Sequence, residues 1–340
     1  MPIKKKNLVI AVVLALFATV LAGCSSNSDQ ASDVTELTVY SGRSEEYIAP
    51  FFAEYEKQSG IKLNIRYGDS AELAAQILEE GSNSPADLFL SQDAGSLGAV
   101  SEAGLFIELG NDVAADIPAE FVAANRTWVG VTGRARVLAY SPERVSTLPK
   151  SFADLTNPAY KNKVGIAPTN SSFQAFVTAL IENKGEEFTK KWLTGIKANG
   201  AKIYAKNSLI VEAIDKGEID LGLVNHYYIW ETSESLGRPV KADVSYFTAG
   251  DFGNLINVSG VGIFASSKKQ AAAAELINYL TSVATQQKFV KDTHEYSLLP
   301  GAAAPEGVPA LDQVGAPTID LKSLVNIKRT QDLLIEVGLL

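Results

Sequence analysis

Trp128-Val129-Gly130-Val131-Thr132-Gly133-Arg134-Ala135-Arg136-Val137-Leu138-Ala139-Tyr140 is the stretch on which the fold turns. It is a long β-like run, broken by Gly133 and by two arginines, and longer than an ordinary strand. Asn254 to Ala265 (NLINVSGVGIFA) is a second run of that kind, again interrupted by glycine. The two flank a block of roughly a hundred residues, which suits strands that cross between two lobes. Working outward toward the N-terminus, short apolar strands alternate with amphipathic helices. Leu37 to Tyr40, Ile61 to Tyr67 and Ala86 to Leu90 read as strands. Glu45 to Ser59, Ser70 to Glu80 and Asp93 to Ala103 read as helices, with Ser70 as an N-cap and Gly60 and Gly104 as stops. Three βα units in succession indicate an α/β sheet. Between the long runs lie strands at Lys163–Ala167 and Ala201–Tyr204 and helices at Ser171–Asn183, Lys190–Asn199 and Ser208–Gly217. Lys268 to Val283 and Thr318 to Val337 complete the helical pattern.

The N-terminus sets the compartment. Lys4-Lys5-Lys6, an apolar run from Leu8 to Leu21, and Leu21-Ala22-Gly23 directly before Cys24 form the pattern of a bacterial lipoprotein signal. The apolar run is short for a membrane span, which needs about 20 residues. Residues 1–23 are expected to be removed, Cys24 to carry lipid, and Ser25 to Thr35 to act as a polar tether. Cys24 is the only cysteine, so the folded part has no disulfide and no thiolate chemistry. The full chain has 30 basic and 39 acidic residues. Loss of the three signal lysines leaves 27 basic residues and a charge of about −12, which argues against nucleic acid or an anionic membrane surface as partner.

Catalytic signatures are absent from the sequence: no G-x-S-x-G, H-E-x-x-H, P-loop or G-x-G-x-x-G occurs. Of two histidines, His294 lies in a polar run and reads as an exposed helix end. A richer candidate is Leu221-Gly222-Leu223-Val224-Asn225-His226-Tyr227-Tyr228-Ile229-Trp230. A buried-strand pattern ends there in polar and aromatic residues. Neighbouring side chains on a strand face opposite ways, so Tyr227 and Tyr228 act together only if the strand stops and the chain turns into a helix. Two phenol oxygens so placed suit a hard cation; two tyrosines lining a core edge or a sugar-like pocket are the plainer alternative. The turn Ser41-Gly42-Arg43-Ser44-Glu45 follows the first strand, where α/β folds place ligands. Gly42 permits unusual backbone angles and Arg43 offers a fork for an oxyanion, or else lies in solvent. On the first reading Arg43→Ala weakens ligand binding and leaves folding unchanged. Thr169-Asn170-Ser171-Ser172-Phe173 opens a helix, whose N-terminus holds an anion or is simply capped by Asn170 or Ser171.

In order along the chain, Val39-Tyr40-Ser41-Gly42-Arg43, Pro85-Ala86-Asp87-Leu88-Phe89, Ser101-Glu102-Ala103-Gly104-Leu105, Gly133-Arg134-Ala135-Arg136-Val137, Tyr204-Ala205-Lys206-Asn207-Ser208 and Asn225-His226-Tyr227-Tyr228 match a known pattern. With these segments the chain, from Leu37 onward, resembles the ferric-ion-binding proteins that serve ABC importers. The resemblance implies a two-lobed periplasmic-binding-protein-like α/β fold with crossing hinge strands: lobe 1 from 36–136 and 257–309, lobe 2 from 137–256 and 310–340. It implies no enzyme activity, but a monomeric, lipid-anchored extracytoplasmic protein that takes ferric iron, free or as a small chelate, to an ABC permease. The transported Fe(III) is accompanied by a synergistic anion such as carbonate or phosphate. The family's adjacent iron ligands fall on Tyr227 and Tyr228, and its anion contacts near Asn170, Ser171 and Ser172, with Asn207 and Asn225 beside them. Two departures stand out. Ser44 and Gln92 occupy the places of a histidine and a glutamate ligand. A tyrosine-rich branch has His-Tyr at Ser44-Glu45 and a tyrosine at Phe173. Glu45 is then the first-lobe carboxylate left to join the metal, with Arg43, Ser44 and Gln92 near the anion. The alternatives are a relative that binds a small organic anion, such as a phosphonate or carboxylate, and a secreted hydrolase.

Overall fold

In the computed structural model, residues 34–319 and 321–340 are described. The signal pattern, Cys24 and nearly all of the tether therefore lie outside the described residues. In chain order the elements are β1 (Glu36–Ser41), α1 (Glu45–Ser59), β2 (Lys62–Tyr67), α2 (Ser70–Glu80), β3 (Leu88–Ser91), α3 (Ala94–Glu102) and β4 (Trp128–Tyr140). Then come β5 (Val164–Ile166), α4 (Ser171–Lys184), α5 (Glu186–Ala198), β6 (Lys202–Ile203), α6 (Asn207–Lys216), β7 (Leu221–Asn225) and α7 (Tyr228–Leu236). The chain finishes with β8 (Asp243–Ser245), β9 (Ile256–Ile263), α8 (Gln270–Thr281), α9 (Val283–Thr293), β10 (Tyr296–Ser297) and α10 (Ile327–Glu336).

Strand order is β2-β1-β3-β9-β4-β7-β5-β6, with β8 and β10 also paired to β4. β1, β2 and β3 run parallel, as βα units require, and β9 joins β3 antiparallel. β4 belongs to two sets of strands. Trp128 to Ala135 pair with β9, and Arg136 to Tyr140 pair with β7. A bulge at Gly130/Thr132 shifts the register on the first half. The long run is thus one strand that changes partner at Ala135/Arg136, where its two buried arginines sit.

Local differences from the sequence expectations have physical causes. Asp69, not Ser70, caps α2, its carboxylate accepting the Ala71 N–H at 2.9 Å. Ser70 is freed to accept the Gln92 N–H at 2.8 Å. Gly42 serves close approach and not an unusual angle, because a Cβ there would collide with the Ser70 side chain. Residues 283–293 form a separate helix, α9: Ser282 is extended and caps it through the Thr285 N–H. Phe289 on α9 stacks on Phe51 of α1 at 3.9 Å, so this helix is part of the core. In the tail, a 3-10 turn over Leu321–Val325 precedes α10, whose cap is Asn326.

One surface of the second strand set is pinned by charge. The buried Asp215 at the end of α6 accepts two hydrogen bonds from Arg238, at 3.0 and 2.6 Å, and one from the Lys241 N–H at 2.8 Å. The Arg238 bonds lead the causes that pull its carboxyl down to about 2. A depressed carboxyl contributes stability above its unfolded pKa near 3.9 and loses it as pH falls through the folded value. Asp215→Asn is expected to cost about 1.5–3 kcal/mol at neutral pH. Thermal melts should show that gap narrowing as pH is lowered from 4 toward 2.

Candidate functional site

β7 ends at Asn225, and Tyr227 already has helical angles (φ −68, ψ −16) as the residue that opens α7. The switch from a strand's two-residue alternation to a helical turn brings two adjacent side chains to one side. Tyr227 and Tyr228 stack with ring centroids 4.5 Å apart and planes 29° apart. Both are buried, at 2% and 9% exposure, so their hydroxyls face protein groups and not bulk water.

The turn after β1 supplies the opposite wall. Tyr47, from the first turn of α1, meets Tyr227 edge-on at 5.8 Å, and its hydroxyl donates to the Thr293 carbonyl at 3.0 Å. The Arg43 guanidinium lies 4.7 Å over the Tyr47 ring and pairs with Glu295 at 3.1 Å. Glu295 also accepts from Thr132 Oγ1 at 2.9 Å and stands 3.8 Å from Arg134. Among the described residues the Arg134 guanidinium has no hydrogen-bond partner, and it is fully buried. Burial opposes the Arg43 charge, but the Glu295 carboxylate and the three nearby phenols outweigh it and hold its pKa above the ordinary value. Arg43 is therefore not in solvent, and its buried pair with Glu295 makes Arg43→Ala expected to cost stability, where the sequence alone suggested that it would not.

The start of α4 closes a third side. Asn170 caps the helix, its Oδ1 accepting from the Ser172 N–H at 3.0 Å and the Ser172 hydroxyl at 2.6 Å. Asn207 donates to Asn170 Oδ1 and to Ser172 Oγ, each at 3.2 Å, and its side chain favours the ionised Tyr228 phenol, against the larger effect of burial. Arg136 donates to Ser172 Oγ at 3.2 Å and to the Leu223 carbonyl at 3.0 Å. Asn225 is buried and opposite Arg136 in the β4–β7 register. Asn170, Ser172, Asn207 and Arg136 thus form one network beside Tyr228, with Ser171 next to them on the first turn.

The other sequence candidates make no hydrogen bond to this network among the described residues. Ser44 and Glu45 are exposed, and the phenol that feels the Glu45 charge is Tyr67. Gln92 is half-buried, its backbone tied to Ser70. Tyr47, Glu231 and Glu295 were not singled out by sequence reasoning. For Glu231 a signal existed, since it follows the tyrosine pair at helical spacing. For Glu295 none did, because its partners come from distant segments. His294 is a helix end, as expected, but half-buried: it closes α9 in the left-handed region (φ 54) and stacks on Trp230 at 5.1 Å.

Electrostatically the pocket keeps the Tyr228 and Tyr47 phenols protonated while no cation is near. Burial chiefly, then Tyr227 and Glu231, raises the Tyr228 pKa well above 10. Burial and Glu295 do the same for Tyr47. Burial also pushes the Glu231 carboxyl up to about 7. Among the described residues no group of three or more His, Cys, Asp or Glu forms a metal cluster. The donors gathered here are phenol and carboxyl oxygens, the set preferred by a hard, highly charged cation. Such a cation reverses the local pKa order and displaces the phenolic protons.

His226 supports the pair from behind. Fully buried, it accepts the Ala135 N–H at Nδ1 (3.3 Å), and its Nε2–H, in the tautomer this implies, donates to the His294 carbonyl at 2.7 Å. Burial drives its pKa down to about 4. A depressed histidine contributes stability above its unfolded pKa of about 6.5 and loses it as pH falls toward the folded value. His226→Ala is expected to cost about 2–4 kcal/mol through the cavity and two orphaned backbone groups. Its melts should lose their acid sensitivity between pH 6.5 and 4, while ligand binding survives.

Against known proteins, residues 83–320 match the family described as bacterial extracellular solute-binding protein. The Fe(3+)-binding periplasmic protein of Serratia marcescens is 33% identical over 308 residues, covering 89% of this chain and 90% of that one. The iron-bound HitA structure from Pseudomonas aeruginosa superposes with a TM-score of 0.84 at 32% identity, covering 89% of this chain and 99% of that one. A Trichodesmium protein (IdiA, FutA), solved in complex with iron and citrate, superposes at 0.76 with 25% identity over 89% and 99%. These matches set the strand order and the shared β4 in a two-lobed periplasmic-binding-protein fold, which binds solutes and is not an enzyme. The chain belongs to the bacterial extracellular solute-binding proteins.

Proposed function

We infer that the protein captures ferric iron outside the cytoplasm and delivers it to an ABC permease, with Tyr227 and Tyr228 as phenolate ligands. The observation that carries this reading is the stacked, buried tyrosine pair at the β7–α7 junction, faced by Arg43 from the turn after β1. The similarity to iron-binding relatives over nearly the whole folded chain supports it. Lobe 1 is assigned to 36–136 and 257–309 and lobe 2 to 137–256 and 310–340, the boundary falling where β4 changes partner. Closure of the lobes around the cation is a hinge motion.

A small anion completes the coordination. Carbonate, phosphate or citrate, the last found with iron in the Trichodesmium protein, would find positive charge at Arg43 and Arg136 and donors at Ser172 and Asn207. The local excess of arginine offsets the acidic charge of the whole chain at this one place. Purified protein loaded with ferric citrate should carry one iron and a visible tyrosinate-to-iron absorbance. Absence of both would leave the buried phenols as walls of an organic-anion pocket.

Cys24 is assigned as the lipid-bearing first residue of the mature protein, on the Leu21-Ala22-Gly23 run before it. Cys24→Ala is expected to move the protein from the membrane fraction to the soluble one. Persistence in the membrane, with the signal uncleaved, would show an anchor helix instead.

A further inference from the structure

We propose that Glu231 is a third protein ligand of the cation held by Tyr227 and Tyr228, taking the place of the carboxylate that this chain lacks at Gln92. The inference rests on the assignment of those tyrosines. At 3.6 residues per turn, Glu231 lies about 40° around the α7 axis from Tyr227 and about 60° from Tyr228 on its other side. It therefore sits in the wedge between the two, one turn along. Helical side chains lean toward the N-terminus of their helix, so the Glu231 carboxyl leans back toward the turn that carries both phenols.

The surroundings agree with that direction. The Glu231 charge acts on Tyr228 and on Tyr47, and Arg43, Glu295 and Lys206 act on Glu231. All but Lys206 are groups of the pocket described above. Among the described residues no ion pair or side-chain hydrogen bond claims the Glu231 carboxyl, although it is only partly exposed. An ionised carboxylate there would also lie near the positive N-terminal end of α7. Glu45 has none of these properties: it is exposed, and its charge is felt at Tyr67.

The test compares Glu231→Gln and Glu231→Asp with the parent, each loaded with Fe(III) from the citrate complex. The readouts are iron stoichiometry, the visible charge-transfer band, competition against citrate, and the melting temperature of the iron-free protein. Glu231→Gln should keep the iron-free melting temperature, shift the band, and weaken iron binding at least about tenfold, the lower bound for losing even an outer partner of a ligand. Glu231→Asp, a carboxylate withdrawn by one methylene, should fall between the two. A parent-like band in Glu231→Gln, or parent-like affinity, overturns the proposal while leaving the tyrosine assignment intact. A parent that shows no visible band refutes the tyrosine assignment itself.

Discussion

Replacing Tyr227 or Tyr228 by phenylalanine will remove most ferric-iron binding and bleach the visible band, while the iron-free protein melts close to the parent. The ring stays in both variants, so the 4.5 Å stack and the edge contact with Tyr47 are kept. Only the donor oxygen is lost. For Tyr228 that oxygen is buried and feels the Asn207 and Tyr227 side chains, so the stability change is about 1 kcal/mol. For the metal the loss is of a directly bonded ligand, and affinity should fall by more than the roughly 10–100-fold typical of an outer partner. The pH dependence has a fixed sign. Burial raises the Tyr228 pKa, so a proton leaves as the cation enters, and apparent affinity falls as pH drops. Titration with ferric citrate, followed at the charge-transfer band over a pH series, measures both effects. Parent-like iron binding in both variants would return the site to the organic-anion alternative.

The parts of this molecule that were legible in sequence are those fixed by local chemistry. β4 and α1 run from the residue where their patterns begin to the residue where they end, Pro50 notwithstanding, because the run of α1 is closed by Gly60 in the left-handed region. The tyrosine pair was legible for the same reason: the apolar run Leu221–Val224, Asn225 and the turn into α7 are contiguous. Caps and helix ends were misread where a neighbouring side chain decided the outcome. Asp69 outcompeted Ser70 as a cap, and Ser282 closed the helix expected over 268–283 and opened α9 beyond it, a helix the sequence reading did not include. The pocket's charge arrangement could not be read at all. Glu295 lies in a polar run that looks solvated, yet it is buried between an arginine from the β1–α1 turn and one from β4. Nothing near Glu295 in sequence announces those partners. Arg134 and Arg136 were visible only as interruptions of a β run, whereas in the fold they are its two most distinctive contacts with the pocket.

That buried charge yields the second large effect, an asymmetry between the two ends of one ion pair. Glu295→Gln will destabilise the protein strongly, by about 3–5 kcal/mol, because breaking a buried pair leaves uncompensated charge. Here it leaves two: Arg43, 3.1 Å from Glu295, and Arg134, 3.8 Å away with no hydrogen-bond partner among the described residues. Arg43→Met should cost less, since Arg134 remains to neutralise Glu295 and the methionine stem still fills space over the Tyr47 ring. The order of the two single variants is therefore expected to be Glu295→Gln worse than Arg43→Met. The double variant should fall short of the sum of the two losses, with a coupling of about 0.5–3 kcal/mol as for residues in one network. Denaturant melts of the iron-free protein measure all three. Equal losses would mean that Glu295 serves Arg43 alone and that Arg134 is balanced by some other group, whereas simple additivity would mean that the Arg43–Glu295 pair carries no coupling.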